Sequence, residues 1–280
     1  MHGHGLIQLE SKMKKKIIIF LLIFNSIWIY AQSDFNIKNG YMGFTIKNYF
    51  CSIFFYENNQ IEFLDDGNPD MYEVWNQTFK YTATGCKGLY EIKLDNGIKF
   101  TALVSKKYLV LYKSDFKEPF FVGGVSISRE RTYPIHKIKA SSFLTEKNIF
   151  YKVENLSNLN LDSPWVEGVN GNGIGETLTF TTNSPGIVFF SGYISAKNPS
   201  LYEKNSRIKK AKFKCVENGR EFIFNFEDTA GGQQIDLSDL FQYNGKNSFT
   251  IIMEILDVYK GTRYQDTCVN SMFVGFSHIN

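Results

Sequence analysis

Apolar and aromatic residues recur along this chain in short runs, broken by clusters of Asn, Asp, Gly and Pro. In the first half the runs are 49–56, 61–64, 78–84, 89–94, 99–104 and 109–113. Their aromatic and β-branched content predicts strands. The clearest pair flanks Asp95-Asn96-Gly97, where both arms alternate apolar and polar residues. Asn-Gly between alternating arms predicts a tight hairpin. Residues 33–130 therefore read as a small antiparallel β domain, either a barrel or a sandwich. Residues 131–137 read as a linker, inside a polar stretch containing Arg129, Arg131, Pro134 and His136. Beyond it, 178–180, 186–191, 210–215, 220–226, 233–237 and 249–258 read as successive strands between Gly-rich or polar loops. Many short strands without a helical period predict a β-sandwich over 138–280. The fold class expected is all-β.

The first 32 residues follow a different pattern. Lys14-Lys15-Lys16 precedes an apolar run from Ile17 to Ile29, and Tyr30-Ala31-Gln32 follows. A basic stretch, an apolar core and a small residue predict a secretory signal cut near Ala31 or Gln32. Met13 would be its natural start, with residues before it an upstream extension. An uncleaved anchor is the alternative, but Asn25 and Ser26 interrupt the run, which is short for a membrane span. The expected destination is the cell envelope or beyond, and the expected mature chain does not span a membrane. The formal charge of +3 comes from Lys12, Lys14, Lys15 and Lys16 against Glu10, which leaves the remainder neutral. A neutral chain lacks the cationic surplus that phosphate backbones require, so nucleic acid is not an expected partner. Aromatic residues at 16% instead favour β-structure, because flat rings pack well on pleated faces.

Export changes the reading of Cys51, Cys86, Cys215 and Cys268. An oxidising compartment permits two bridges, one in each half, and four buried thiols are the alternative. No C-x-x-C pattern is present and His is scarce, so no zinc site is expected.

The second half carries a distinctive succession: Ala140-Ser141-Ser142-Phe143-Leu144, Tyr151, Asn155-Leu156, and Trp165-Val166-Glu167-Gly168 leading into Gly171-x-Gly173-x-Gly175-Glu176. Ser191-Gly192-Tyr193, Tyr202, Asn205-Ser206-Arg207 and Val258-Tyr259-Lys260-Gly261-Thr262-Arg263-Tyr264-Gln265-Asp266-Thr267 complete it. Over roughly residues 138–278 this resembles the NADase-type glycan-binding domain, a discoidin-like, galactose-binding-type jelly roll. The resemblance implies a β-sandwich jelly roll and a glycan partner. It says nothing about residues 34–130. Asn160-Leu161-Asp162-Ser163-Pro164 stands where the family usually has an Asp-Gly-Asp loop, and Cys268-Val269-Asn270-Ser271 where it usually has an acid.

The residues themselves leave alternatives. Trp165 beside a glycine loop is either a ligand platform or core. Carbonyls with Glu167 or Glu176 offer hard oxygens to a calcium ion, the one cofactor considered. Tyr193, Tyr202, Asn205 and Arg207, with Tyr264 and Asp266, combine aromatic faces with planar hydrogen-bonding groups that suit a sugar. The alternative is a structural Arg207–Asp266 ion pair with Tyr259 packed beneath it. Catalysis has little support. Only His136 and His278 follow the signal, and Glu167, Glu176, Glu227 and Asp228 are scattered loop acids. The expected function is a secreted, non-catalytic glycan-binding protein. A glycan-directed hydrolase and a structural envelope protein are the competing readings.

Overall fold

The computed structural model describes residues 35, 37–45, 49–65, 74–113, 119–125, 133–135, 137–157, 160–241 and 248–274. The signal segment, Arg129, Arg131, His136 and His278 lie outside them. Among the described residues no helix is long and apolar enough to cross a membrane.

The first half is a closed antiparallel barrel of eight strands in chain order. They are β1 (Gly40–Thr45), β2 (Phe50–Phe55), β3 (Gln60–Asp65), β4 (Gln77–Cys86), β5 (Leu89–Leu94), β6 (Lys99–Val104), β7 (Tyr108–Lys113) and β8 (Phe121–Gly124). The expected hairpin joins β5 to β6, and Gly97 N–H donates to the Leu94 carbonyl at 3.0 Å. Alternate residues fill the interior, among them Tyr41, Ile53, Phe63, Phe100, Leu109 and Phe121. The barrel closes where β1 meets β8, with Gly43 opposite Gly123. A Cβ on Gly43 would lie 2.0 Å from the Val122 carbonyl oxygen, so only glycine permits that approach.

The second half builds a ten-stranded sheet system. Its strands are β9 (Tyr133–Pro134), β10 (Lys139–Ala140), β13 (Trp165–Val166), β14 (Thr177–Thr182), β15 (Gly186–Ser191), β16 (Ser206–Cys215), β17 (Glu221–Asn225), β18 (Gln233–Asp236), β19 (Phe249–Tyr259) and β20 (Thr267–Val274). A separate hairpin pairs β11 (Thr145–Glu146) with β12 (Ile149–Phe150). The main path runs β10-β14-β19-β16-β20-β15-β18. A two-residue parallel pairing between β16 and β20 joins its two parts. Leu178, Phe213 and Met253 from one part share a core with Phe189, Ile235 and Met272 from the other. This is the expected β-sandwich jelly roll. Among the described residues one short α-helix, α1 (Leu201–Lys204), interrupts it.

Barrel and sandwich meet through a third apolar cluster. In β7, Leu109 and Leu111 point into the barrel, whereas Tyr108, Val110 and Tyr112 point out of it. In β15, Ile187 and Phe189 face the sandwich core, and Val188 and Phe190 face the barrel. Both strands are buried on both faces, which explains their unbroken apolar sequences.

The expected bridges are not formed. Cys51, Cys215 and Cys268 are unbridged and buried in separate surroundings. The Cys51 thiol lies 3.9 Å from the Gly43 carbonyl, and the Cys268 thiol 3.7 Å from the Asp266 carbonyl. Burial pushes both thiols up, and they behave as small hydrophobes. Cys86 is exposed at the end of β4.

Candidate functional site

The Trp-Glu-Gly segment folds as a brace. Pairing of β13 with β20 sets Trp165 opposite Val269 in the sandwich core, fully buried. Its indole N–H donates to the Ser142 carbonyl at 2.9 Å. Trp165 is therefore core rather than a ligand platform. Glu167 is equally buried, and its carboxylate accepts from Thr267 N–H at 3.2 Å and Val169 N–H at 2.8 Å. Burial raises the Glu167 carboxyl above its ordinary value despite those two donors. Gly173, at φ +66°, lies against this side chain, and a Cβ there would sit 2.5 Å from Glu167 Cγ. The Glu176 carboxylate accepts from the hydroxyls of Ser141, at 2.6 Å, and Ser142. Both carboxylates considered for calcium thus face N–H and O–H donors. Among the described residues no three His, Cys, Asp or Glu side chains group as metal ligands.

Arg207 leaves β16 into the boundary between the two halves. Its partner is Asp228, not Asp266. Nε and Nη2 donate to Asp228 Oδ1 at 3.0 and 2.9 Å, and Nη2 to Oδ2 at 2.9 Å. Nη1 donates to the Asn205 carbonyl at 2.9 Å, and the guanidinium lies 5.1 Å from the Tyr202 ring centre. Tyr202, buried on α1, donates its hydroxyl to Asp228 at 3.3 Å. From the barrel, Lys87 reaches Asp228 at 3.0 Å and Glu203 at 3.2 Å. Burial opposes ionisation of Asp228, but the Lys87 hydrogen bond and the Arg207 charge outweigh it and hold the carboxyl below its ordinary value. Tyr259, expected beneath the pair, donates to the Phe226 carbonyl at 2.9 Å. Arg207 and Tyr202 are thus structural groups in this geometry.

On the other side of α1 the surface opens into a cleft of about 240 Å³. Leu144, Val166 and Leu201 give it an apolar lining, and the rings of Tyr151, Tyr193 and Tyr264 surround that lining. Glu146, Asn205 and Asp266 supply polar groups. Tyr151 and Tyr193 meet edge to face at 6.2 Å. Burial raises both phenols, so they are neutral. Tyr264 is 38% exposed, with the Arg263 guanidinium 5.3 Å from its ring centre. Among the described residues no donor is hydrogen-bonded to the side-chain carboxylate of Asp266 or of Glu146. Asn205 donates to the Leu201 carbonyl at 2.9 Å, which ties one cleft wall to α1.

Of the candidates read from the sequence, Tyr193, Asn205, Tyr264 and Asp266 line the cleft, whereas Trp165, Glu167, Tyr202 and Arg207 lie buried behind it. Tyr151 and Leu144 stood in the quoted motifs without a role. Glu146 sits on the β11–β12 hairpin, which has no apolar alternation to mark it.

The family model described as the NAD glycohydrolase translocation F5/8 type C domain matches residues 130–275, the part that holds the sandwich and this cleft. The chain belongs to this family. The translocation-domain match leaves the barrel outside it. Among solved structures the chain is similar to CpGH89CBM32-4 from Clostridium perfringens, solved in complex with GlcNAc-α-1,4-galactose. That similarity is 12% in identity with a TM-score of 0.34, over 51% of this chain and 91% of the other. No curated protein matches the chain.

Proposed function

We propose that this chain is an exported, non-catalytic carbohydrate-binding protein whose ligand enters the cleft beside Tyr264. The observation that carries the reading is the pairing of phenol rings and an apolar lining with two carboxylates that no described donor engages. A sugar presents C–H faces to rings and O–H donors to carboxylates. Membership of a discoidin-like family supports the same class of ligand. The charges of Glu146 and Asp266 favour a neutral or amino-bearing sugar over a sialylated or sulfated one. Affinity falls in the micromolar to millimolar range, roughly −8 to −4 kcal/mol, because hydroxyl contacts exchange against water with small net gain. Export rests on the basic stretch at Lys14–Lys16, the apolar run after it and Ala31. N-terminal sequencing of exported material beginning after residue 30 or so supports it, and an intact Met1 or Met13 opposes it.

Two carboxylates in one cleft also fit the outline of a glycoside hydrolase. Such an enzyme needs one carboxyl held protonated by apolar surroundings. Glu146 is exposed and Asp266 is partly exposed, so binding is the better reading. A glycan array with the mature protein, followed by analysis of the hits for cleavage, tests both. Neutral hits recovered intact support binding. Shortened hits support the hydrolase, and an empty array supports a structural role.

A further inference from the structure

We propose that the barrel positions the wall of the ligand cleft, and that Lys87 is the positioning residue through which it does so. The barrel reaches the sandwich at the turn between β4 and β5. Lys87 occupies it at φ +49°, and Gly88 follows. The Lys87 carbonyl accepts from Ala230 N–H at 2.7 Å and from the Thr229 hydroxyl at 3.2 Å. A Cβ on Gly88 would meet Thr229 Oγ1 at 2.2 Å, so the turn is seated closely in the sandwich loop. The Lys87 ammonium then bridges Asp228 and Glu203.

Glu203 belongs to α1, and α1 holds the cleft. Leu201 lines it, and the Leu201 carbonyl fixes the Asn205 side chain. The Glu203 carbonyl accepts from Thr262 N–H at 2.9 Å, and the Lys204 carbonyl from Arg263 and Tyr264 N–H at 3.1 and 2.8 Å. These bonds set the backbone that presents Tyr264 and leads to Asp266. A cation on the barrel is thus one side chain and one helical turn from the wall of the cleft. The geometric part of this inference stands on its own, whereas its consequence for affinity rests on the carbohydrate-binding reading.

The test uses the full chain with Lys87→Met, which keeps the aliphatic stem and removes the charge, and Lys87→Arg, which keeps the charge. Amide hydrogen exchange is followed at Thr262, Arg263 and Tyr264, with amides of β14 and β19 as internal references. In Lys87→Met the three loop amides are expected to exchange roughly two- to fivefold faster, as loss of a partly exposed ion pair allows, while the references keep their parental rates. Lys87→Arg restores the parental pattern. Glu203→Gln, cut at the other end of the bridge, reproduces the Lys87→Met pattern and decides the matter if Lys87→Met fails to fold. Affinity for any array hit weakens by a similar factor. Loop amides that keep their parental rates, or that accelerate only in step with the references, overturn the proposal. A parent that binds no glycan refutes the carbohydrate reading and leaves the exchange result to judge the coupling.

Discussion

Two polar clusters that include tyrosines lie on opposite sides of α1, and they differ in one respect. On the barrel side Tyr202, Arg207 and Asp228 have matched every strong donor with an acceptor of the same chain. On the outer side Tyr151, Tyr193, Tyr264 and Asp266 surround open space, and the Asp266 carboxylate has no such match among the described residues. Residue type does not separate a structural cluster from a binding one. The separation comes from whether the chain itself supplies the complementary group.

The largest expected effect breaks the barrel-side cluster. Asp228→Ala leaves the Arg207 guanidinium, 5% exposed at its side chain, without its carboxylate. Removing one partner of a buried pair costs about 3 kcal/mol at the low end of the usual range, and the low end applies because Asp228 itself is 24% exposed. Urea unfolding measures it. A loss below about 1 kcal/mol, the level of surface pairs, would place Arg207 among groups available to a ligand.

A smaller effect is expected in the glycine loop. Gly173→Ala meets both a left-handed backbone, at φ +66°, and the Glu167 side chain. Gly219→Ala, in the turn between β16 and β17, meets only the backbone term, with nothing within 4 Å of the added carbon at the comparable φ of +72°. The first should cost about 2 kcal/mol and the second about 1 kcal/mol. Equal losses would mean that Glu167 does not brace the loop.

Much of the architecture was legible. The hairpin at Asn96-Gly97, the β5 and β6 boundaries and the all-β character all followed from alternation and turn chemistry. The strands that complete each unit were harder to read. Gly43 and Gly123 suggest turns, yet they sit in β1 and β8 to let the barrel close. In β20, Thr267, Asn270 and Ser271 are buried polar residues that break the apolar run of a central strand. The apolar sequences of β7 and β15 read as strands, but nothing local shows that each is buried on both faces by the other half. The site was half legible for a related reason. Arg207 and Asp266 share the chemistry of a pair, and only the fold shows that the loop carrying Asp228 arrives first.

The pH dependence of stability separates the buried Glu167 from the partly buried Asp228. Asp228 has a lowered folded value, so between that value and 3.8 the unfolded chain binds more protons. Its contribution is present above this window and is lost as pH falls through it. Glu167 has a raised folded value, so above 4.5 the native state holds the proton longer. Stability from this group falls as pH rises through its raised value. Thermal melts across pH should therefore show an acid limb that flattens in Asp228→Asn and a second, opposite limb that flattens in Glu167→Gln. A parental acid limb in Asp228→Asn would remove the ion-pair account of Arg207.

The smallest effect on stability, and the sharpest test of the contrast, belongs to the cleft. Asp266 uses its backbone carbonyl to accept from Ser206 N–H at 3.0 Å, but its side chain serves no other described group. Asp266→Asn keeps that backbone and the side-chain shape while removing the charge. Tyr264→Ala removes a ring that is 38% exposed. Changes at such positions usually stay within about 0.5 kcal/mol of parental stability, so both variants should melt with the parent. Their effect should instead fall on ligand. Loss of one charge-assisted hydrogen bond, or of one ring face, weakens a sugar by about 1 to 2 kcal/mol, roughly five- to thirtyfold in Kd. Calorimetric titration of the same glycan into parent and variants reads this directly. A variant that destabilises the fold while leaving affinity alone would show that the outer cluster, like the one behind α1, is already satisfied within the chain.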